Sequence, residues 1–266
     1  MKHSKRYFQL SSLALLALVL VSTGCQKLKA RDELNKGVAA FKGGQYPVAV
    51  EHFKGAIEAD PSLTNARLYL ATAYASQYVP GADSESNTQV GEQAIAEFQK
   101  ILQSDANNIG SISGIASLYF QMKKFDEAKE YYRKHVALDP KNAEAFYSIG
   151  VINWTETYQP RMELKKKLNL RPDEPIKDAK ERAALREKNL ALVDEGMQML
   201  DKAMAARPDY DDAMAYQNLL LREKADLVDD PAEREALLKQ ADDYVNKSLD
   251  IKKKKSSQET TGQVTG

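Results

Sequence analysis

A repeated segment ending constrains this chain more than any other feature of its sequence. Three segments end alike, at Ala59-Asp60-Pro61, at Leu138-Asp139-Pro140 and at Ala206-Arg207-Pro208. The interval from Pro140 to Pro208 equals two periods of about 34 residues, and that from Pro61 to Pro140 equals two such periods and about 11 residues more. A fixed period in the range of roughly 20–50 residues is typical of stacked structural units, so the chain is predicted to add one unit to the next.

Each unit is predicted to be a pair of helices. Gly and Pro are few in the chain, while Ala, Leu, Lys and Glu are many, and this favours helix over strand. Small residues such as Gly37, Ala49 and Ala56 let two antiparallel helices approach closely, and the large Tyr46 and Phe53 fill the space beside them. An ordinary amphipathic bundle would also explain the helices, but it would not explain the fixed period.

The spacing resembles that of the tetratricopeptide repeat (TPR) over residues 31 to about 251. The resemblance implies an all-α fold, an α-solenoid of about five TPR-like helix hairpins, with an extended helical hairpin in the fourth unit. The first and third units carry the best matches: Gly37, Gly44, Tyr46, Ala49, Phe53, Ala56 and Pro61, then Ile115, Ala116, Tyr119, Phe125, Ala128, Tyr132 and Pro140. The units are expected at about 30–63, 64–108, 109–142, 143–210 and 211–251.

The second unit contains an insertion from Tyr78 to Gly91. Its alternating Asp83, Glu85 and Asn87 faintly resemble the spacing of a calcium loop. The central glycine and the terminal bidentate glutamate of such a loop are not in place. We therefore expect a polar, solvated loop.

The fourth unit is longer than a repeat allows, because its two halves lie one whole period further apart. Either a degenerate repeat is inserted or both helices are extended. Residues 178–206 contain no Pro and no turn signal near Asn189, so two long helices are predicted. These run from Ala143 to about Leu168, with a kink at Pro160, and from about Lys177 to Ala206. Such a hairpin would project beyond the stack, either as a solvated spacer or as a docking arm.

Residues 1–24 are predicted to be a signal peptide. A basic start with Lys2, Lys5 and Arg6 precedes an apolar run that is too short to span a membrane and ends at Cys25. The stretch from Ser22 to Cys25 resembles the lipobox of bacterial lipoproteins, although Ser22 replaces the usual Leu or Val. The resemblance implies lipidation of Cys25, a short tether over 25–30 and a periplasm-facing, lipid-anchored protein of the bacterial cell envelope. The residue after the cysteine is Gln26 and not Asp, which would imply sorting to the outer membrane. The alternatives to a lipoprotein signal are an ordinary secretory signal and an uncleaved anchor.

The C-terminal residues 252–266 are predicted to be a disordered basic and polar tail. Lys252 to Lys255 begin it, and a polar run without a hydrophobic pattern follows. The four lysines either attract anionic lipid or keep the tail solvated.

The composition excludes several classes of function. The 38 basic and 38 acidic residues balance, so nucleic acid is not expected as a partner. One cysteine excludes a disulfide framework and a cysteine-based metal cluster. Of the three histidines, His3 lies in the predicted signal peptide. His52 is expected to face solvent. His135 is expected to be packed, with a local hydrogen bond. No catalytic, metal or cofactor motif is found, so no enzyme activity is predicted.

The candidate site is the concave face that the first helices of such repeats form. The resemblance implies that certain first-helix positions face inward and contact a partner. In this chain these groove candidates are Leu34, Val38, Phe41, Asn65, Leu68, Thr72, Ser76, Ser113, Ser117, Phe120, Gln121, Tyr147, Val151 and Trp154. Leu34 and Val38 occupy two places where some family members hold a peptide carboxylate with Lys or Asn, so a chaperone-tail receptor is disfavoured. Trp154 is either a hot spot for a partner or a packing residue against the fourth hairpin.

Taken together, the residues predict a non-catalytic interaction scaffold or adaptor that binds a peptide or protein segment in the groove. An assembly factor for outer-membrane protein insertion or for pilus and secretin biogenesis is the alternative. Self-association into a structural scaffold is a further possibility, because the ends of a solenoid and a projecting hairpin can pair.

Overall fold

A computed structural model describes residues 25–264, with side chains to residue 257. The predicted signal peptide, residues 1–24, lies outside the described residues, as do residues 265 and 266. The chain divides into two units at the boundary between Lys124 and Phe125. We call the part up to Lys124 unit 1 and the part from Phe125 onward unit 2. Each of them contains more than one of the predicted repeats.

Unit 1 is built from helices that follow one another through short turns. Neighbouring helices in the sequence pack together, α2 on α3, α3 on α4 and α4 on α5. Residues 25–30, which were expected to form a tether, are helical, and Ala30 is buried. The helices are α1 (residues 25–42), α2 (Tyr46–Ala59), α3 (Thr64–Ala75), α4 (Glu85–Ser104) and α5 (Ile109–Gln121).

Glycines set the close approach of helices in unit 1. A Cβ on Gly37 of α1 would lie 2.5 Å from the ring of Phe53 on α2. A Cβ on Gly114 of α5 would likewise lie 2.5 Å from the ring of Phe98 on α4. Each phenyl ring therefore occupies the space that a side chain would need, and the small-beside-large pattern of the sequence is the packing pattern of the fold.

Part of the insertion in unit 1 is helical, so the loop is shorter than the sequence predicted. Residues Tyr78 to Gly91 were expected to be a solvated loop, but α4 already begins at Glu85. Ser84 caps this helix by accepting a hydrogen bond from the Asn87 backbone N–H at 3.2 Å. The Asn87 side chain is buried and bonds to both the N–H and the carbonyl of Val79, at 2.8 and 2.9 Å. Asn87 therefore fastens the loop to the helix.

Unit 2 contains the longer helices. α7 packs along α8, α8 on α9, and α9 on α10. Pro160 lies within α7, and α8 is unbroken, so the fourth hairpin consists of two extended helices and not of an inserted repeat. The helices are α6 (Phe125–Leu138), α7 (Ala143–Lys167), α8 (Ala179–Ala206), α9 (Asp211–Ala225) and α10 (Pro231–Val264).

The tip of the fourth hairpin does not project freely, which corrects the expectation of a spacer or docking arm. The Lys165 side chain is 1% exposed, and its Nζ donates to the carbonyl oxygens of Pro172 and Glu174 at 2.8 and 2.7 Å. The same ammonium pairs with Asp226, at the end of α9, at 2.5 Å. The hairpin tip is thus packed onto the turn that joins α9 to α10.

Two arginines of α8 complete this packing. Arg182 donates to the carboxylate of Asp229 at 2.7 Å, and Arg186 donates from Nε to the Leu227 carbonyl at 2.5 Å. The sequence alone does not show which partners these charges meet. Their partners are distant in the chain, and no local pattern reveals such pairs.

The predicted disordered tail is also corrected, because α10 continues through residues 252–264. Lys255 pairs with Asp211 at 2.7 Å, and Lys252 with Asp212 at 3.5 Å. These acids form the first turn of α9, where negative charge is favoured by the helix dipole. Pairing with this acidic turn holds the lysine segment in the helix, while Lys253 and Lys254 stay exposed.

The fold class predicted from the sequence is confirmed. Residues 25–264 form an all-α architecture of successive TPR-like helix hairpins, with the extended hairpin in the fourth place and no strand among these residues. At the start of α10, the Asp230 carboxylate accepts a hydrogen bond from the Ala232 N–H at 2.9 Å, and Pro231 occupies the first helical position.

Candidate functional site

In unit 1, the groove candidates on α1 are largely used for packing. Leu34, Val38 and Phe41 are partly buried against the core of α2 and α3, which contains Phe53 and Leu70. The Phe41 ring also lies 5.3 Å from that of Tyr46, measured between centroids. These three side chains leave only part of their surface for a partner.

The candidates on α3 offer small polar groups. Asn65 and Ser76 are exposed or partly so, and Leu68 and Thr72 are half-buried. The Thr72 hydroxyl donates to the Leu68 carbonyl at 2.8 Å, and the Ser76 hydroxyl donates to the Thr72 carbonyl at 2.9 Å. Because each hydroxyl proton is engaged by the helix itself, these oxygens remain as acceptors for a partner.

The candidates on α5 are of the same kind. Ser113, Ser117, Phe120 and Gln121 are half-buried. The Gln121 amide donates to the Ser117 hydroxyl at 3.0 Å, which fixes the amide over the helix surface and leaves its oxygen as an acceptor. The α3 and α5 candidates thus provide neutral hydrogen-bonding groups.

In unit 2, five aromatic rings form a continuous row on α7, α9 and the turn before α9. The centroids of Tyr210 and Tyr147 are 4.9 Å apart, and those of Tyr147 and Tyr216 are 5.6 Å apart. Trp154 is 5.3 Å from Tyr216 and 5.0 Å from Tyr158. These spacings suit aromatic pairs, so each ring orients the next. We call these residues the aromatic row.

One end of the aromatic row, at Tyr210, contacts charged residues. Tyr210 donates from its hydroxyl to the Glu144 carboxylate at 2.5 Å, and Arg207 pairs with the same carboxylate at 2.8 Å. Burial, followed by the hydrogen bond to Glu144, raises the pKa of Tyr210. Burial also raises the pKa values of Tyr147 and Tyr216. These three tyrosines are therefore uncharged over the physiological pH range.

The structure separates the three groove candidates on α7. Tyr147 and Trp154 lie in the aromatic row and are partly exposed. Trp154 also packs against the core of unit 2, and its ring contacts are with Tyr216 of α9 and Tyr158 of its own helix. Val151 is 7% exposed, so it offers little surface to a partner.

Sequence reasoning missed Tyr158, Tyr210 and Tyr216. Tyr158 lies four residues after Trp154, a spacing that places both on one helix face and could have revealed it. Tyr210 and Tyr216 lie at and beyond the start of the weakest repeat, for which no groove positions were assigned. Their proximity to Tyr147 is visible only after α7 and α9 are packed together.

The two histidines differ from each other in their surroundings. His52 is half-buried, where a solvent-facing position was predicted, and its Nδ1 lies 2.8 Å from Glu33 Oε2. His135 is buried as expected, but neither ring nitrogen has a hydrogen-bond partner within the described chain. Burial lowers the pKa of His135, which is consistent with a neutral packed ring.

Two further properties of residues 25–264 bear on function. No group of three or more His, Cys, Asp and Glu side chains in this range is arranged to hold a metal ion. Within the same range, no helix combines the length and apolar character needed to cross a membrane. Cys25 is exposed at the start of α1.

The succession of packed helix pairs resembles that of tetratricopeptide-repeat proteins. Two family models, both described as tetratricopeptide repeat, match residues 34–109 and 112–142. The chain therefore contains recognisable tetratricopeptide repeats in these two ranges.

Curated relatives with similar sequence include Hsp70-Hsp90 organizing proteins. The Hsp70-Hsp90 organizing protein 3 of Arabidopsis thaliana is 30% identical over 117 residues, which cover 43% of this chain and 19% of that protein. The Hsp70-Hsp90 organizing protein 1 of Glycine max is 28% identical over 124 residues, which cover 46% and 19%. The match thus spans about a fifth of the length of these relatives.

Solved structures resemble the fold over most of the chain. The structure titled MamA 41-end from Desulfovibrio magneticus RS-1 superposes with a TM-score of 0.58 and 14% identity, covering 85% of this chain and 96% of that chain. A crystal structure of MamA protein gives a TM-score of 0.56 and 16% identity, covering 86% and 94%. At such identities the likeness concerns the fold.

Proposed function

We propose that this chain is a non-catalytic adaptor that binds a protein segment through the first helices of its hairpins. The observation that carries the proposal is the aromatic row, five rings in contact of which four remain partly exposed and Tyr210 is buried. Aromatic side chains supply large contact area at low entropic cost and are enriched among residues that dominate binding energy. The similarity to Hsp70-Hsp90 organizing protein 3 supports this function.

The chemistry of the groove candidates selects the kind of segment. All fourteen candidates are uncharged at neutral pH. A partner that depends on carboxylate clamping would find no cation at these positions, and Leu34 and Val38 stand at two of them. We infer that a segment bound at the aromatic row is extended or helical and carries apolar side chains. A segment bound at α3 and α5 would instead meet neutral polar groups.

This proposal predicts weak dependence of binding on salt. Dissolved salt has little effect on contacts between uncharged groups. By contrast, the attraction between exposed charges decays over a distance of about 10 Å at 0.1 M ionic strength. Partner affinity should therefore change little as the salt concentration increases. A steep loss of affinity with salt would show that charged residues elsewhere dominate the interaction.

Binding through the aromatic row can be tested with Trp154 and Tyr216. Trp154→Ala and Tyr216→Ala should each weaken partner capture by about tenfold or more, as expected for residues that dominate an interface. Tyr69→Ala is a matched control, because Tyr69 is an exposed ring of α3 that is not a groove candidate. Thermal melting must show that each variant remains folded at the assay temperature. Unchanged capture by folded Trp154→Ala protein would remove this residue from the site.

A photo-crosslinker can locate the partner without assuming its identity. Placed at Ser76 or Ser117, it should capture a protein partner. Placed at the exposed Lys188 of α8, it should not. Capture from Lys188 alone, with no product from Ser76 or Ser117, would assign binding to the second helices and contradict the proposal.

The proposal includes an anchor at Cys25. The lipobox-like sequence and the exposed position of Cys25 support lipidation of its thiol and attachment to the bacterial envelope, with the repeats facing the periplasm and the outer membrane as the expected location. Cells grown with labelled fatty acid should label the wild-type chain and not Cys25→Ala. Label that persists in Cys25→Ala would contradict the anchor, and fractionation of the two membranes would test the location.

The biological process depends on the partner. Depletion of the protein followed by loss of outer-membrane proteins or of assembled secretins would assign the alternative role of an assembly factor. Unchanged envelope composition would leave the general adaptor function. Sedimentation over a range of concentrations separates self-association from partner binding by a monomer.

A further inference from the structure

A second surface of unit 2 combines an apolar floor with basic residues. It is a shallow pocket of about 620 Å³ formed by the end of α6, the turn that follows it, the first turn of α7 and the end of α8. This size lies within the range of ligand and peptide pockets, roughly 300–1,000 Å³. The lining residues of this basic pocket are Arg133, Val136, Ala137, Pro140, Lys141, Phe146, Lys202, Ala205 and Ala206.

The floor of the basic pocket is built by residues of the core. Phe146 is 7% exposed, and its ring belongs to the core of unit 2. Val136 is half-buried, and the small side chains of Ala205 and Ala206 keep the pocket open above it. Apolar surface that remains open between packed helices favours the binding of an apolar side chain.

The rim carries three cations. Arg133 already pairs with Glu195 at 2.6 Å. The Lys202 ammonium lies 5.7 Å from the centroid of the Phe146 ring, and Lys141 is exposed beside it in the turn. No carboxylate is among the lining residues. Asp139, which lies nearby in sequence, accepts from the backbone N–H of Lys141 at 3.2 Å.

This surface is separate from the aromatic row. Phe146 and Tyr147 are adjacent on α7, but the Tyr147 ring contacts Tyr210 and Tyr216, whereas Phe146 lines the basic pocket. Side chains of neighbouring helical residues point about 100° apart, so α7 presents one residue to each surface. The two surfaces therefore use different residues of α7.

We propose that the basic pocket docks a partner segment in which acidic side chains flank an apolar one. Lysine is a compact point charge with rotatable donors, which suits carboxylates of a mobile segment. The lysines attract the acidic side chains and steer association, and the floor buries the apolar side chain between them. Charge complementarity therefore selects an acidic partner, while a basic or purely polar segment is rejected. The proposal does not rest on the function assigned to the groove candidates.

The test uses the purified full chain and labelled hexapeptides. Fluorescence anisotropy should show binding of EDLFED, and not of KRLFRK or EDGSED, with affinity falling as salt is raised. The double variant Lys141→Glu/Lys202→Glu should weaken EDLFED binding by about tenfold or more, because two exposed attractive pairs become repulsive. Lys188→Glu/Lys239→Glu is the matched control, since both lysines are exposed and lie outside the pocket.

The position of the bound peptide is checked by crosslinking. A photoreactive residue in place of Ala205 should crosslink to EDLFED, and one in place of Lys188 should not. Trp154→Ala should leave EDLFED binding unchanged, which distinguishes this site from the aromatic row.

Several outcomes would overturn the proposal. Equal binding of EDLFED to both double variants would show that Lys141 and Lys202 do not contribute to peptide binding. Equal binding of EDLFED and KRLFRK would exclude charge selection. If vesicles containing anionic lipid bind through Lys141 and Lys202 while EDLFED does not bind, the surface is a membrane contact and not a peptide site.

Discussion

Unit 1 and unit 2 use the same small-against-large packing, but they hold their departures from the repeat pattern differently. In unit 1 the inserted loop is fastened by the neutral amide of Asn87. In unit 2 the tip of the extended hairpin is fastened by buried charges. There Arg161 pairs with Glu223 and with Asp226, both at 2.9 Å, and Lys165 pairs with Asp226.

The difference teaches where each unit is vulnerable. Removing one hydrogen bond of a neutral amide lowers the free energy of unfolding by about 1 kcal/mol. Removing one charge of a buried cluster leaves the opposite charge buried without a partner. The free energy of unfolding then falls by several times as much. Unit 2 should therefore be the more sensitive of the two to single substitutions and to pH. Trp154 is the only tryptophan of the chain, so its fluorescence reports on unit 2.

The largest expected effect is that of Asp226→Ala. It removes the carboxylate that both Arg161 and Lys165 share, and should lower the free energy of unfolding of unit 2 by about 3–5 kcal/mol. Urea denaturation followed by Trp154 fluorescence measures this. Glu130→Ala, which breaks the exposed pair with Lys134 in unit 2, is the control and should cost less than about 1 kcal/mol. A similar small loss for Asp226→Ala would mean that the buried cluster adds no more than a surface pair.

The next effect is a pH dependence that arises in unit 2. Burial raises the pKa of Glu223 from its ordinary 4.5 to about 7, against the opposing influence of Arg161. The folded state therefore binds this proton more tightly than the unfolded state. The resulting stabilisation is complete below pH 4.5 and is lost as the pH rises through about 7, by about 1–3 kcal/mol.

Comparison with Glu223→Gln isolates this contribution. The difference in unfolding free energy between wild type and Glu223→Gln should change between pH 4.5 and pH 7, with the wild type losing stability relative to the variant. His135 acts at lower pH, because its lowered pKa makes it destabilising as the pH falls below 6.5, and it is present in both proteins. Parallel pH profiles for the two proteins would contradict the assignment to Glu223.

Glycine substitutions compare the shared packing of the two units. Gly114→Ala in unit 1 places a Cβ 2.5 Å from the Phe98 ring, and Gly150→Ala in unit 2 places one 2.6 Å from Leu200 and 3.3 Å from the Gly196 carbonyl. Each should cost about 1–3 kcal/mol through overpacking, with the larger cost at Gly150, where backbone also obstructs the new atom.

The matched control for the glycine series is Gly55→Ala in unit 1. Its nearest neighbour would be 3.5 Å away, so helix propensity should stabilise it by up to about 1 kcal/mol. Urea denaturation of the three variants measures these differences. Stabilisation by Gly114→Ala would show that the Phe98 ring moves aside at little cost.

The smallest effect concerns two turns of the same geometry. Lys123 in unit 1 and Asn169 in unit 2 both have left-handed backbone, with φ of 58° and 53°. Lys123→Gly should stabilise by about 0.5–1 kcal/mol, because a lysine is strained in this region. Asn169→Gly should gain less, since asparagine tolerates the conformation. Thermal melts of the two variants measure this difference, and equal gains would argue against a role for residue type.

How far the sequence predicts this molecule depends on the range of the interaction involved. The extended fourth hairpin followed from the absence of a turn signal within residues 178–206. The position of the hairpin tip did not follow, because the pairs that hold it join Arg161 and Lys165 to residues near 223–226. The aromatic row was found in part, since Tyr147 and Trp154 lie on a helix with a clear repeat position while Tyr210 and Tyr216 do not.

The sequence by itself determined the helical class, the order of the hairpins and the type of residue on their first helices. These depend on local propensity and on the repeat period, and both are written in short stretches of chain. The tertiary structure alone decided that Lys255 pairs with the start of α9, that charges are buried at the hairpin tip, and that Phe146 and Tyr147 serve two different surfaces. Those features depend on which distant side chains meet once the helices are packed, and a charge on an exposed face has the same sequence pattern as a charge in a buried pair.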